Sequence, residues 1–277
     1  LNQPFLNQFG KRRLVGGTIT LLAMVLLGGT AWLVKQRLGH ASILTGATCL
    51  ACLFLLMLIG VRRRIRMLPL WKMSTWVQVH LYVGLFCTAA YVFHVPKLFA
   101  DGLFEGGLSL LFLGVTLSGF YGLYVSRTAP KRLTAVKGDF RYEQIGWHRE
   151  QIAQLASGLI DPDSRSTAAP VLARFYRDNL FPFFRSPPSL SYVAMPGGAR
   201  KRRLLSRLRE LDRYLEDETR QVAGRFAALV RMRDDLDYHY ALQFRLRVWL
   251  VVHSMLSIGL LVWASAHALL ALQFLGS

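Results

Sequence analysis

Apolar residues gather into five runs along this chain, at 13–35, 42–61, 74–95, 106–125 and 247–272. A helix of about 20 residues crosses a hydrocarbon core of about 30 Å, so each run predicts a membrane-spanning helix. The first run is read as a span and not as a signal peptide, because it is long enough to cross and no A-x-A-like site closes it. Between 126 and 246 the pattern changes. Residues 141–157 and 168–181 read as two shorter helices, with Asp161, Pro162, Asp163 and Ser164 breaking the chain between them. Pro182, Pro187, Pro188, Pro196, Gly197 and Gly198 mark an irregular stretch. From Arg200 onward Leu204, Leu208, Leu211, Leu215, Val222, Phe226, Leu229 and Val230 recur at helical spacing, predicting a helix that runs through Asp237 and Gln243 into the fifth span. No segment alternates as a strand does. The expected fold is therefore all-α, a membrane helix bundle of five spans with a helical cytoplasmic insertion between spans four and five. The expected domains are 1–125, 126–246 and 247–277.

Charge sets the expected orientation. The 277 residues are 53% hydrophobic, yet they carry 34 Lys and Arg against 16 Asp and Glu. Such an excess can signal nucleic acid, but basic loops on one side of a membrane account for it through topology and anionic lipid. No nucleic-acid partner is expected. Lys11, Arg12 and Arg13 precede the first span, Arg62, Arg63, Arg64, Arg66 and Lys72 separate the second from the third, and Arg127, Lys131 and Arg132 follow the fourth. Arg245 and Arg247 lead into the fifth. All fall on one side if the five spans hold, against Lys35, Arg37 and Lys97 on the other. The N-terminus and residues 126–246 are thus expected in the cytoplasm, the protein being integral to a membrane of the bacterial inner-membrane kind. The third and fifth spans then run in the same direction.

Two of these spans carry matched histidines. His80 and His94 are fourteen residues apart, and so are His253 and His267. Fourteen steps of about 100° bring a helix back to within about 40° of its starting direction, so each pair lies on one face. Its rings stand roughly 21 Å apart along the axis. Polar groups inside a membrane are expensive and usually functional. On parallel helices His80 faces His253 near the cytoplasmic side and His94 faces His267 near the outer side. Two facing imidazoles are the axial ligands of a six-coordinate b-type haem, so the pattern predicts two haem b groups with no open position for oxygen. Each ligand's other ring nitrogen then needs a partner on a neighbouring helix.

The faces between the ligands carry Gly84, Cys87 and Ala90 on one span and Ser257 and Ala264 on the other. Gly84 and Ser257 are the small residues expected to give a macrocycle room, although small residues also serve helix packing. Gly114, Ser118 and Gly122 form a small-x-x-x-small series, read as helix contact. Arg66, Lys72, Arg245 and Arg247 are candidates for the propionates of the inner haem, and Lys97, Lys35 and Arg37 for the outer one. His40, His148 and His239 read as solvated histidines, and Asp234, Asp235, Asp237 and Glu218 as a solvated helix face. Cys49, Cys52 and Cys87 lie in apolar runs without the second C-x-x-C of a zinc or iron–sulfur site. No nucleotide fingerprint or P-loop is present.

The segments HLYVGLFCTAAYVFH and HSMLSIGLLVWASAH resemble those of membrane di-haem cytochromes b, a class that includes cytochrome b561-like proteins, ferric reductase-like domains and respiratory cytochrome b subunits. The resemblance covers only the membrane part. The flavin and nicotinamide module usual in ferric reductases is not seen, and the insertion of about 120 residues departs from small cytochromes b561. It implies transmembrane electron transfer as a subunit of a quinone-linked oxidoreductase complex. The implied partners are membrane lipid, quinone or quinol, an outer-face c-type cytochrome, and a cytoplasmic flavin or iron–sulfur protein. A haem-free scaffold or proton-relay transport subunit, with the histidines as helix glue, is the alternative.

Overall fold

A computed structural model describes residues 4–37, 40–64, 72–95, 97, 99–134, 141–160 and 170–275. Among these residues every regular element is a helix. The break expected at Asp161–Ser164 and the candidate Arg66 lie outside them. In order, the elements are α1 (Pro4–Gln36), α2 (Ala41–Arg64), α3 (Met73–His94), α4 (Leu103–Thr134), α5 (Tyr142–Gly158), α6 (Pro170–Phe175), a π turn (Tyr176–Leu180), α7 (Phe181–Arg185), α8 (Leu190–Ala194), α9 (Ala199–Asp212) and α10 (Asp217–Leu275). Among the described residues five helices are long and apolar enough to cross a membrane: four of the qualifying segments are Arg12–Gln36, Ala41–Arg62, Met73–His94 and Leu103–Thr128, and the fifth lies within α10. The chain divides into two compact units, residues 1–121 with 251–277, and residues 122–250.

The first unit is a bundle whose helix directions follow from its contacts. Gly16 and Gly28 of α1 meet Tyr82 and Phe93 of α3, so α1 and α3 run the same way. Gly46 of α2 meets His94, whereas Leu56 of α2 meets Gly84, so α2 opposes α3. Gly107 of α4 meets Trp263 and Gly119 meets His253, so α4 opposes the apolar part of α10. Cys52, Leu53, Cys87, Tyr91, Phe112 and Leu260 form its buried centre, with Tyr91 stacked on Phe112 at 4.1 Å. Most of the remaining apolar surface points outward, Leu26, Leu110 and Met255 among it. In water that would be an aggregating surface, but in hydrocarbon it needs no cover.

The second unit has a conventional interior. Ile145 and Ile152 of α5, Leu172, Leu180, Leu204, Leu208, Leu215, Val222, Phe226 and Val230 are buried together. Leu155 of α5 is outside this core, 60% exposed. The helix expected over 168–181 is broken into α6, the π turn and α7. Pro182 has no N–H to continue the ladder and crowds the preceding turn, which widens to accommodate it. The irregular stretch contains the short α8, whose N-cap Ser189 accepts a hydrogen bond from the Tyr192 backbone N–H. The helix expected from Arg200 onward ends at Asp212 and restarts at Asp217. Arg220 holds this corner, donating to the Asp217 carboxylate and to the carbonyls of Asp212 and Leu215. From Asp217 the helix does continue without interruption into the fifth apolar run.

Candidate functional site

The structure brings together the four histidines in the two expected pairs, both within the first unit. The ring centres of His80 and His253 lie 6.5 Å apart with planes inclined at 71°. Those of His94 and His267 lie 6.4 Å apart at 76°. All four side chains are half-buried. An imidazole nitrogen lies about 1.15 Å from its ring centre, so a direct N–H···N bond of about 2.9 Å would set the centres about 5.2 Å apart. A metal with bonds of about 2.0–2.1 Å to both nitrogens would set them about 6.4 Å apart. Both pairs match the second width.

The surroundings of the rings are equally specific. Thr45 of α2 is buried, and its Oγ1 lies 3.2 Å from Nδ1 of His94. The same oxygen lies 3.0 Å from the Ala41 carbonyl and 3.2 Å from that of Ser42, to which its O–H can donate. The next residue, Gly46, faces the ring: a Cβ there would come within 2.9 Å of His94 Cε1. Ser118 of α4 repeats the arrangement at the other level, with Oγ 3.2 Å from Nδ1 of His253. It too is followed by a glycine, Gly119, whose Cβ would lie 3.8 Å from His253 Cε1. Phe104 stacks on His267 with ring centres 6.3 Å apart and touches Trp263, lining the His94/His267 end of the bundle.

The two small residues expected beside the ligands behave differently. A Cβ on Gly84 would make ordinary contact with Leu56 of α2, at 3.9 Å. Ser257 turns its hydroxyl onto its own helix, donating to the His253 carbonyl at 2.7 Å. Of the proposed propionate partners, Arg247 donates to Glu143 at 2.6 Å and lies over the Tyr142 ring, and Lys97 pairs with Asp101. Among the described residues no group of three or more His, Cys, Asp or Glu side chains converges as a self-sufficient metal site. A porphyrin brings four nitrogens of its own and asks the protein for only two, so paired histidines fit it while closed zinc-type coordination does not.

The second unit holds a different polar cluster. Arg233 is fully buried and bonds the Asp237 carboxylate and the Ser186 carbonyl. Arg149 reaches Asp237 at 3.5 Å, and Lys201 holds Asp234 at 2.7 Å, which also accepts from Tyr192. The solvated helix face expected at Asp234 and Asp237 is therefore buried, and His239 is buried with it. Burial pushes the Asp237 carboxyl up against the opposing pull of Arg233, and pushes the Tyr192 phenol up as well. These charges neutralise one another within the unit.

Sequence position alone does not mark Thr45, Gly46, Ser118 and Gly119 as neighbours of the histidines. The available signal was a hydroxyl–glycine dipeptide in each of two apolar runs. No protein-family model, curated protein or solved structure matches the chain.

Proposed function

We propose that this chain is an integral membrane electron carrier holding two b-type haems, each between one histidine of α3 and one of α10. The observation that carries the reading is the width of the two histidine pairs, at 6.5 and 6.4 Å too wide for direct hydrogen bonding and right for a shared metal. The two pairs keep the same separation at two levels of one bundle. The half-burial of the rings leaves part of each edge accessible to a flat macrocycle. Haem held by His80 with His253 and by His94 with His267 would supply reversible one-electron storage.

The protein's own part is then to hold each ring at the correct height, to keep water from the centre of the bundle with the Cys87, Tyr91, Phe112 and Leu260 layer, and to separate the two levels by about four helical turns, roughly 21 Å. By the basic-loop asymmetry the His80/His253 level faces the cytoplasm, together with residues 126–246. In this reading the chain is a subunit of a quinone-linked complex, passing electrons across the membrane between the quinone pool or a cytoplasmic flavin or iron–sulfur protein and an outer-face c-type cytochrome. The reduced-minus-oxidised spectrum of purified protein tests the assignment. A b-type signal with two haems per chain is expected, and protein purified from haem-replete cells with no such signal would overturn it.

A further inference from the structure

We infer that Thr45 and Ser118 are positioning residues, each fixing the tautomer and raising the donor strength of one histidine in each pair, His94 and His253. This rests on the bis-histidine haem reading and adds to it which neighbouring side chains tune each centre.

A neutral imidazole carries one proton, and only the nitrogen without it can bind a metal. In both cases the hydroxyl faces Nδ1, at 3.2 Å. Thr45 shows which way the bond runs. Its own proton has the Ala41 and Ser42 carbonyls as acceptors, so its lone pair is left for the ring, and Nδ1–H of His94 donates to it. The Nε2 lone pair is thereby left for the metal. Ser118 Oγ stands at the same distance from Nδ1 of His253, from the other flanking helix, and is assigned the same role by this likeness. A ligand whose Nδ1–H is hydrogen-bonded is a stronger base and a better electron donor, which favours the ferric state.

The two sites are built alike from different helices. Thr45 lies on α2, which flanks α3, and Ser118 lies on α4, which flanks the apolar part of α10. Each hydroxyl is followed by a glycine that lets the helix come up to the ring, closely at Gly46 and in ordinary contact at Gly119. Each pair therefore has one ring anchored from a flanking helix, and the two anchors belong to different pairs. One consequence is that the two potentials can be set independently.

The test is an optical redox titration of the membrane protein and its Thr45→Val, Thr45→Ser, Ser118→Ala and Ser118→Thr variants. Valine keeps the shape of threonine and removes only the hydroxyl. Thr45→Val is expected to raise the midpoint of one haem component and leave the other in place. The expected size is about tenfold in the reduced-to-oxidised ratio at fixed potential, which is about 59 mV for a one-electron couple. Ser118→Ala is expected to raise the other component, while Thr45→Ser and Ser118→Thr stay at the parent values. If Thr45→Val fails to incorporate one haem, restored incorporation in Thr45→Ser supports the hydroxyl's role, and failure of both assigns the position to packing and overturns the inference. Full haem content with unmoved midpoints in Thr45→Val and Ser118→Ala also overturns it, as does an equal shift of both components by either variant. Failure of the underlying haem reading looks different, since the parent protein itself would then show no b-type spectrum.

Discussion

The two units of this chain bury polar side chains in opposite ways. In the unit of residues 122–250, buried charge is answered at once: Arg233 by Asp237 and the Ser186 carbonyl, Asp234 by Lys201 and Tyr192. In the unit of residues 1–121 and 251–277, the histidines of each pair face each other at a separation that suits neither a hydrogen bond nor close stacking. Desolvating a charge is costly, so a cluster that satisfies itself is an element of structure. Two rings held apart at the same distance, twice, are what the proposed shared metal rests on. A buried polar residue thus signals function by what its partners leave over, more than by its burial.

The comparison can be broken by substitution. The largest effect is expected at Gly46. A methyl there falls 2.9 Å from His94 Cε1. A free ring would swing aside at small cost, but a ring held by a metal and by Thr45 cannot. If the proposed haems are present, Gly46→Ala is expected to lose one of the two outright, measured as haem per protein. Retention of both, with unchanged spectra, would show that His94 is free to move.

Next comes Arg233 in the other unit. Removing one partner of a buried ion pair costs about 3–5 kcal/mol. Arg233→Ala is expected to lower hydrogen-exchange protection in α5 and α9, whose side chains share its core, while leaving both haems in place. A loss below about 1 kcal/mol would mean that Asp237 is readily hydrated or protonated in its absence.

The smallest effect concerns Glu143. A hydrogen bond from Arg247, aided by its charge, holds this exposed carboxyl below the usual carboxylate range. Its contribution is therefore fully present above the ordinary glutamate pKa and is lost as pH falls through the lowered value in the folded protein. Glu143→Gln should slightly flatten the acid limb of the unit's stability against pH, and added salt should mask the difference because the pair is exposed. A variant that remains distinguishable at high salt would indicate a role beyond this pair.

The apolar runs and the histidine spacing were legible because each depends on one helix at a time. Length alone predicts a span, and a fourteen-residue interval alone puts two rings on a face. What escaped was set by contacts between elements. The corner at Asp212–Asp217 contains neither glycine nor proline, and it is held by Arg220 reaching back across it. The acidic pair Asp217–Glu218, favourable at a helix start, was its only local mark. Pro182 was read as the start of an irregular stretch, but it widens one turn and lets the helix resume. Asp234 read as a wet face because its cationic partner Lys201 lies far away in sequence, and of the two partners of Asp237 only Arg233 is one turn away, Arg149 being distant. Thr45 and Ser118 were invisible as neighbours of the site for the same reason: each is more than forty residues from the ring it touches.

The central claim is that each metal is shared by one histidine from α3 and one from α10. Haem content of the double variant His80→Ala/His253→Ala tests it most directly, set beside the two single variants. One haem per chain is expected in all three, with the same component surviving in each, because both substitutions act on one centre. A double variant with no haem, or single variants that lose different components, would contradict the pairing.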